Sequence, residues 1–196
     1  MNDIFLGATH ITDLAGFDHI LFLVALAASY DLTKIGRMAL LATAFTIGHS
    51  LTLFLAGLDL VRASLSWIEF LIPVTILIMS ILQIGGTPFD LSLKKQSSRA
   101  YVRNSIYLIT ALFGLIHGLG FSSFYRIAAE RGEGIVLPLL KFNVGVELGQ
   151  LLILLVTLAI FSLGRALGVT NRSQQLVIGG ATFGLAAMMA IENFPL

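Results

Sequence analysis

Long apolar runs, each bounded by charged or turn residues, dominate the hydrophobic pattern of this chain. A helix of about 20 apolar residues matches the hydrocarbon thickness of a bilayer. Six such runs emerge: Ile11 to Tyr30, Arg37 to Leu58, Trp67 to Ile84, Val102 to Phe121, Leu137 to Leu163 and Gln174 to Phe194. Lipid offers backbone N–H and C=O groups no partner, so each run is predicted to be a spanning helix. The connections are short. The longest, Gly85 to Tyr101, carries Gly85-Gly86-Thr87-Pro88 and then Lys94, Lys95 and Arg99. The expected fold is an all-α integral membrane protein. It is one six-transmembrane-helix bundle, a single domain over residues 1–196.

Composition agrees. Apolar residues make up 57% and charged residues 12% of the 196, and mean hydropathy is +0.92. A soluble domain cannot bury that much apolar surface. The net charge of +1 comes without a basic block, which excludes nucleic acid as a partner and leaves membrane lipids. With no cysteine, disulfides, thiolate metal sites and cysteine nucleophiles are all removed. The basic residues sort by side. Lys34, Arg37, Lys94, Lys95, Arg99, Arg103, Arg165 and Arg172 fall after the first, third and fifth spans, against Arg62, Arg126, Arg131 and Lys141 opposite. Eight against four places the first set in the cytoplasm and both termini on the non-cytoplasmic side, in a membrane expected to be the bacterial inner membrane. Met1-Asn2-Asp3-Ile4-Phe5 has no basic stretch, and Asp13 and Asp18 interrupt the first run, so a cleaved signal peptide is not expected. Trp67 suits an interfacial anchor.

Chemistry lies in the ionisable residues inside the spans, which are costly there and mark function. The four histidines are His10, His19, His49 and His117; three lie within spans and His10 sits at the mouth of the first. Asp18, Glu69 and Glu147 are the acids inside spans, with Glu192 near the end of the sixth. Counting about 1.5 Å per residue along alternating helices puts Asp18, His19, His49, Glu69, His117, Asn143 and Glu147 in the same half of the membrane. That convergence survives inversion of the topology. Asn143, Glu147 and Gln150 form one stripe of the fifth helix, and Thr46, His49 and Ser50 share a face of the second. Gly114-x-x-x-Gly118 and Gly145-x-x-x-Gly149 let helices approach closely beside His117 and Glu147. Imidazole with carboxylate suits nickel, cobalt, zinc or iron(II), whereas calcium and magnesium prefer all-oxygen sites. The expected metal site is Asp18, His19, His49, His117 and Glu147, with His10, Thr46, Glu69, Asn143 and Gln150 as supporting residues. In the other half the spans offer only mild polar groups: Thr43, Thr75, Ser80, Gln83, Asn104, Ser105, Thr110 and Thr157. Phe45-x-x-x-His49 and Phe113-x-x-x-His117, each preceded by Thr-Ala, leave a duplicated hairpin and chance both open.

Four segments carry a resemblance. Gly16-Phe17-Asp18-His19-Ile20-Leu21-Phe22-Leu23 resembles the signature of the HupE/UreJ family, the hydrogenase and urease accessory membrane proteins. Residues 43–53 (TAFTIGHSLTL), 113–121 (FGLIHGLGF) and 142–150 (FNVGVELGQ) are similar to its second branch. The family in turn resembles nickel and cobalt permeases, in which a helix carries an Asp-His pair in a metal-binding motif. The resemblance implies a metal role for Asp18, His19, His49 and His117, and a site or coupling role for Glu147. One departure concerns His10. The family pattern His-x-x-x-Gly-x-Asp-His sets the histidine six residues before the aspartate, whereas His10 precedes Asp18 by eight. Two extra residues turn a helix by about 200°, so His10 joins the site only if that stretch is not helical.

Three functions compete. The first is an inner-membrane divalent transition-metal transporter with the ion as substrate. The second is a membrane-embedded zinc-dependent hydrolase, in which three histidines hold a water on zinc and an acid is the general base; the sparse polarity of the other half favours it, because an enzyme needs only one opening. The third is a sensor or assembly partner, which the lack of a soluble domain disfavours. The transporter is the expected function. A homo-oligomer is left open.

Overall fold

The computed structural model describes residues 3–14, 16–86, 96–122 and 134–195, and for 96–105 the backbone alone. Its helices are α1 (Asp3–Thr12), α2 (Asp18–Ala27), α3 (Ile35–Gly57), α4 (Leu65–Ile84), α5 (Gln96–Gly120), α6 (Val136–Ala166) and α7 (Asn171–Glu192), with no strand among the described residues. Among the described residues, four segments are long and apolar enough to cross a membrane: Leu32–Gly57, Leu65–Ile84, Val136–Ala166 and Asn171–Glu192. The apolar parts of α2 and α5, Asp18–Ala27 and Ile106–Gly120, are shorter.

The expected first helix, Ile11 to Tyr30, is not one helix. The chain leaves helical geometry after Thr12 and re-enters it at Asp18, giving two ten-residue helices. Local chemistry explains the break. Asp13 competes for backbone hydrogen bonds, and Gly16 costs the most entropy to hold in a helix. Asp18 then starts α2, and its Oδ1 accepts the backbone N–H of His19 at 2.9 Å. A carboxylate there also complements the positive end of the helix dipole.

Glycines set the packing. A Cβ on Gly145 would overlap the Ile4 carbonyl, and one on Gly7 the Phe142 carbonyl, so α1 lies directly on α6. Ile4 meets Gly145 and Ala8 meets Gly149, so these helices run parallel. The pair α3 and α5 repeats the arrangement: Gly48 faces the Ala111 carbonyl, Gly114 the Phe45 carbonyl and Gly118 the His49 carbonyl. The two Phe-x-x-x-His segments thus meet at this crossing, with Phe45 and Phe113 both packed against Phe22, at ring separations of 5.0 and 6.0 Å. A third pair, α4 and α7, is joined by Ser80 and Thr182, whose hydroxyls are 2.7 Å apart.

At the far end of α2 the chain is knitted by polar side chains. Arg165 donates to Asp31 Oδ2 and to the Tyr30 carbonyl, both at 2.7 Å, and to Asn171 Oδ1 at 3.0 Å. Arg172 donates to the Ile84 carbonyl at 2.8 Å. The ends of α2, α4 and α6 and the start of α7 therefore share one side, the side of the basic residues. Just inside it, Gln174 donates to the Ala28 carbonyl and Gln175 to Ser29 Oγ, each at 2.8 Å, while Ser29 also bonds Gln83. Gln174 thereby satisfies a carbonyl that the short α2 leaves without a helical partner, while Gln83 and Gln175 pair with the Ser29 hydroxyl.

A buried four-histidine centre at the helix break

The break brings the ends of α1 and α2 together, and with them all four histidines. His10 lies in the last turn of α1 and His19 in the first turn of α2; their rings are 4.8 Å apart. His49 of α3 lies 5.7 Å from His10 and 6.0 Å from His19, and His117 of α5 lies 5.0 Å from His19. His19 is the hub. His19, His49 and His117 are buried, His49 completely. The unwound stretch removes the objection to His10: with no continuous helix, the rotation argument does not apply.

Hydrogen bonds assign the nitrogens. His19 Nδ1 lies 3.1 Å from Asp18 Oδ1, which leaves Nε2 buried without a partner. His117 Nε2 lies 2.9 Å from the hydroxyl of Thr75 on α4, which leaves its Nδ1 buried and unpartnered. Both nitrogens of His49 and Nε2 of His10 are likewise buried without a protein partner. Buried polar atoms are normally paired, and several orphaned nitrogens facing one another call for an electron-pair acceptor. The ring nitrogen held by a neighbour while the other is presented is the arrangement metal-binding histidines adopt. Ligand atoms of His10, His19 and His49 fall within 4.8 Å of one another, as do those of Asp18, His19 and His117.

A cavity of 210 Å³ leads to this cluster, lined among others by Asp13, Asp18, Glu69, His10, His19 and His117. Glu69 belongs to its wall, where Pro73 has no N–H to return to the Glu69 carbonyl. Beside it, His10, Asp13 and Phe121 also border a wider hollow of 510 Å³.

The other expected site residues stand apart. Among the described residues Glu147 is in neither ligand group. Its carboxylate accepts from Thr43 at 2.7 Å and from Thr46 at 2.9 Å, which ties α6 to α3. Thr46 Oγ1 also lies 2.9 Å from Gln150 Oε1. Asn143 Oδ1 is buried on α6 without a protein partner. Sequence reasoning grouped Thr75 and Thr43 with the mild polar residues of the opposite half, yet one holds a site histidine and the other Glu147. A threonine at an apolar helix position carries no sign of its partner in the sequence.

Residues 1–193 match the family described as HupE / UreJ protein. No curated protein and no solved structure matches the chain. The family match spans nearly the whole sequence, and four helices are able to cross a bilayer; the chain is an integral membrane protein of the HupE/UreJ family.

Proposed function

We propose that the protein moves a divalent transition-metal ion, nickel or cobalt before zinc or iron, across the bacterial inner membrane. The observation that carries this reading is the set of buried, unpartnered imidazole nitrogens from α1, α2, α3 and α5, with His10, His19 and His117 lining one acid-walled cavity. Imidazole nitrogen binds late first-row metals far better than calcium or magnesium. The family resemblance favours nickel and cobalt among them. A helix broken at the site also fits transport, because such breaks place ion sites between half-helices and free the halves to move. The carbonyl end of α1 adds partial negative charge beside a cation.

In this reading α1 and α2 together make the first of six spans, and both termini lie outside. The acidic wall of Asp13, Asp18 and Glu69 attracts the hydrated ion, and the histidines replace its water. Glu147, fixed between α3 and α6 by Thr43 and Thr46, couples the site to helix movement. The test is nickel uptake into liposomes containing the purified protein. Saturable uptake above that of empty liposomes is expected; uptake equal to empty liposomes for nickel, cobalt, zinc and iron contradicts transport.

A further inference from the structure

The histidine centre is larger than one ion needs. Its ligand atoms fall into two triads that share one residue: Asp18, His19 and His117, and His10, His19 and His49. The triads differ at one corner. Asp18, His19 and His117 all line the 210 Å³ cavity, and so does His10, whereas His49 is absent from its wall and is completely buried. His49 lies behind, where the Gly118 crossing presses α5 against its backbone. The shared residue is constrained. A neutral imidazole has one lone-pair nitrogen at a time, the other carrying a proton. His19 therefore completes one triad or the other, not both.

We propose that the centre is two mutually exclusive stations for a single divalent metal ion, handed from one to the other by His19. Resting on the transport reading above, this gives the path its first step. The ion loads at Asp18, His19 and His117 from the cavity, then passes to His10, His19 and His49, whose innermost ligand, His49, lies fully buried behind the cavity wall. No bond other than metal–ligand bonds forms or breaks, and the proton of His19 stays on the ring nitrogen that does not bind metal. The two stations span α5 on one side and α1 with α3 on the other, so handover changes which helices the ion holds together.

Cobalt(II) tests this, because its visible absorption reports the ligand set. The full chain in lipid nanodiscs is titrated as wild type, His49→Gln, His117→Gln and His19→Gln, with circular dichroism confirming helix content for each. The wild type is expected to saturate at one cobalt per chain. His49→Gln keeps one cobalt at the cavity station and loses it to chelator faster, by about 10- to 100-fold, the usual cost of disturbing a metal site. His117→Gln keeps one cobalt with a different spectrum and loads it more slowly. His19→Gln loses both stations. Two cobalt ions per wild-type chain overturn the exclusive sharing of His19. Equal loss of binding in all three variants overturns the division into stations while leaving a single metal site intact. No cobalt on the wild type overturns the metal reading itself, and this inference with it.

Discussion

At the scale of single residues, the centre depends on side chains that bind no metal. Thr75 holds Nε2 of His117 and so decides that Nδ1 faces the site. Replacing Thr75 with valine keeps the shape and removes the hydroxyl. We expect metal affinity, measured by competition with a coloured chelator, to fall about 10- to 100-fold while the melting temperature changes little. Unchanged affinity would mean that His117 needs no such orientation. Asp31 gives a second prediction, outside the spans. The Thr33 hydroxyl chiefly, with the Thr33 N–H and Arg165, holds its carboxyl below the usual range, against a burial cost that pushes the other way. Because the folded pKa is depressed, this stabilisation is complete above the unfolded value and is lost as pH falls through the folded one. Thermal melts of Asp31→Asn should therefore lose part of the wild type's decline in acid; identical decline in both would contradict the assignment.

At the scale of elements, glycine decides how near the helices come. Gly145-x-x-x-Gly149 and Gly114-x-x-x-Gly118 were legible in the sequence as close-packing faces, and both lie on a neighbour's backbone. Their partners Gly7 and Gly48 were not legible, since a lone glycine in an apolar run has no spacing to reveal it. Gly145→Ala must push Ile4 away. It should cost about 1–3 kcal/mol, the usual penalty of overpacking, read as a lower melting temperature. Gly180→Ala, mid-helix with nothing within 4 Å, is the control and should not lower the melting temperature, since it only gains helix propensity. Equal effects would show that the α1–α6 crossing is not tight. The helix break was hidden for a related reason. Ile11 to Tyr30 reads as one apolar run because hydropathy does not register backbone geometry, and the run takes in only the last two residues of α1. The eight-residue spacing of His10 and Asp18, with Asp13 and Gly16 between them, was the trace of it, since a continuous helix could not bring both to one site.

At the scale of the whole molecule, the bundle is asymmetric in chemistry. Histidines gather at the helix break, and buried amides and hydroxyls close the basic end. The convergence of His19, His49 and His117 was legible from depth counting, because alternating helices fix depth without knowledge of neighbours. Contact between Thr43 and Glu147 was not, because depth says nothing of which helices adjoin. Sidedness is open to direct test. The chain has no cysteine, so single cysteines report cleanly. Gly36→Cys, on the basic side, should react with an impermeant maleimide only after cells are opened, and Ala63→Cys, between α3 and α4, in intact cells. The reverse pattern would invert the proposed topology. In the proposed function, histidines from both sides of the helix break hold the transported ion. X-ray absorption at the nickel edge, on nickel-loaded wild type in nanodiscs, tests it most directly. Several imidazole ligands per nickel are expected, fewer in His19→Ala. A nickel surrounded by oxygen alone, with a spectrum unchanged by His19→Ala, would contradict it.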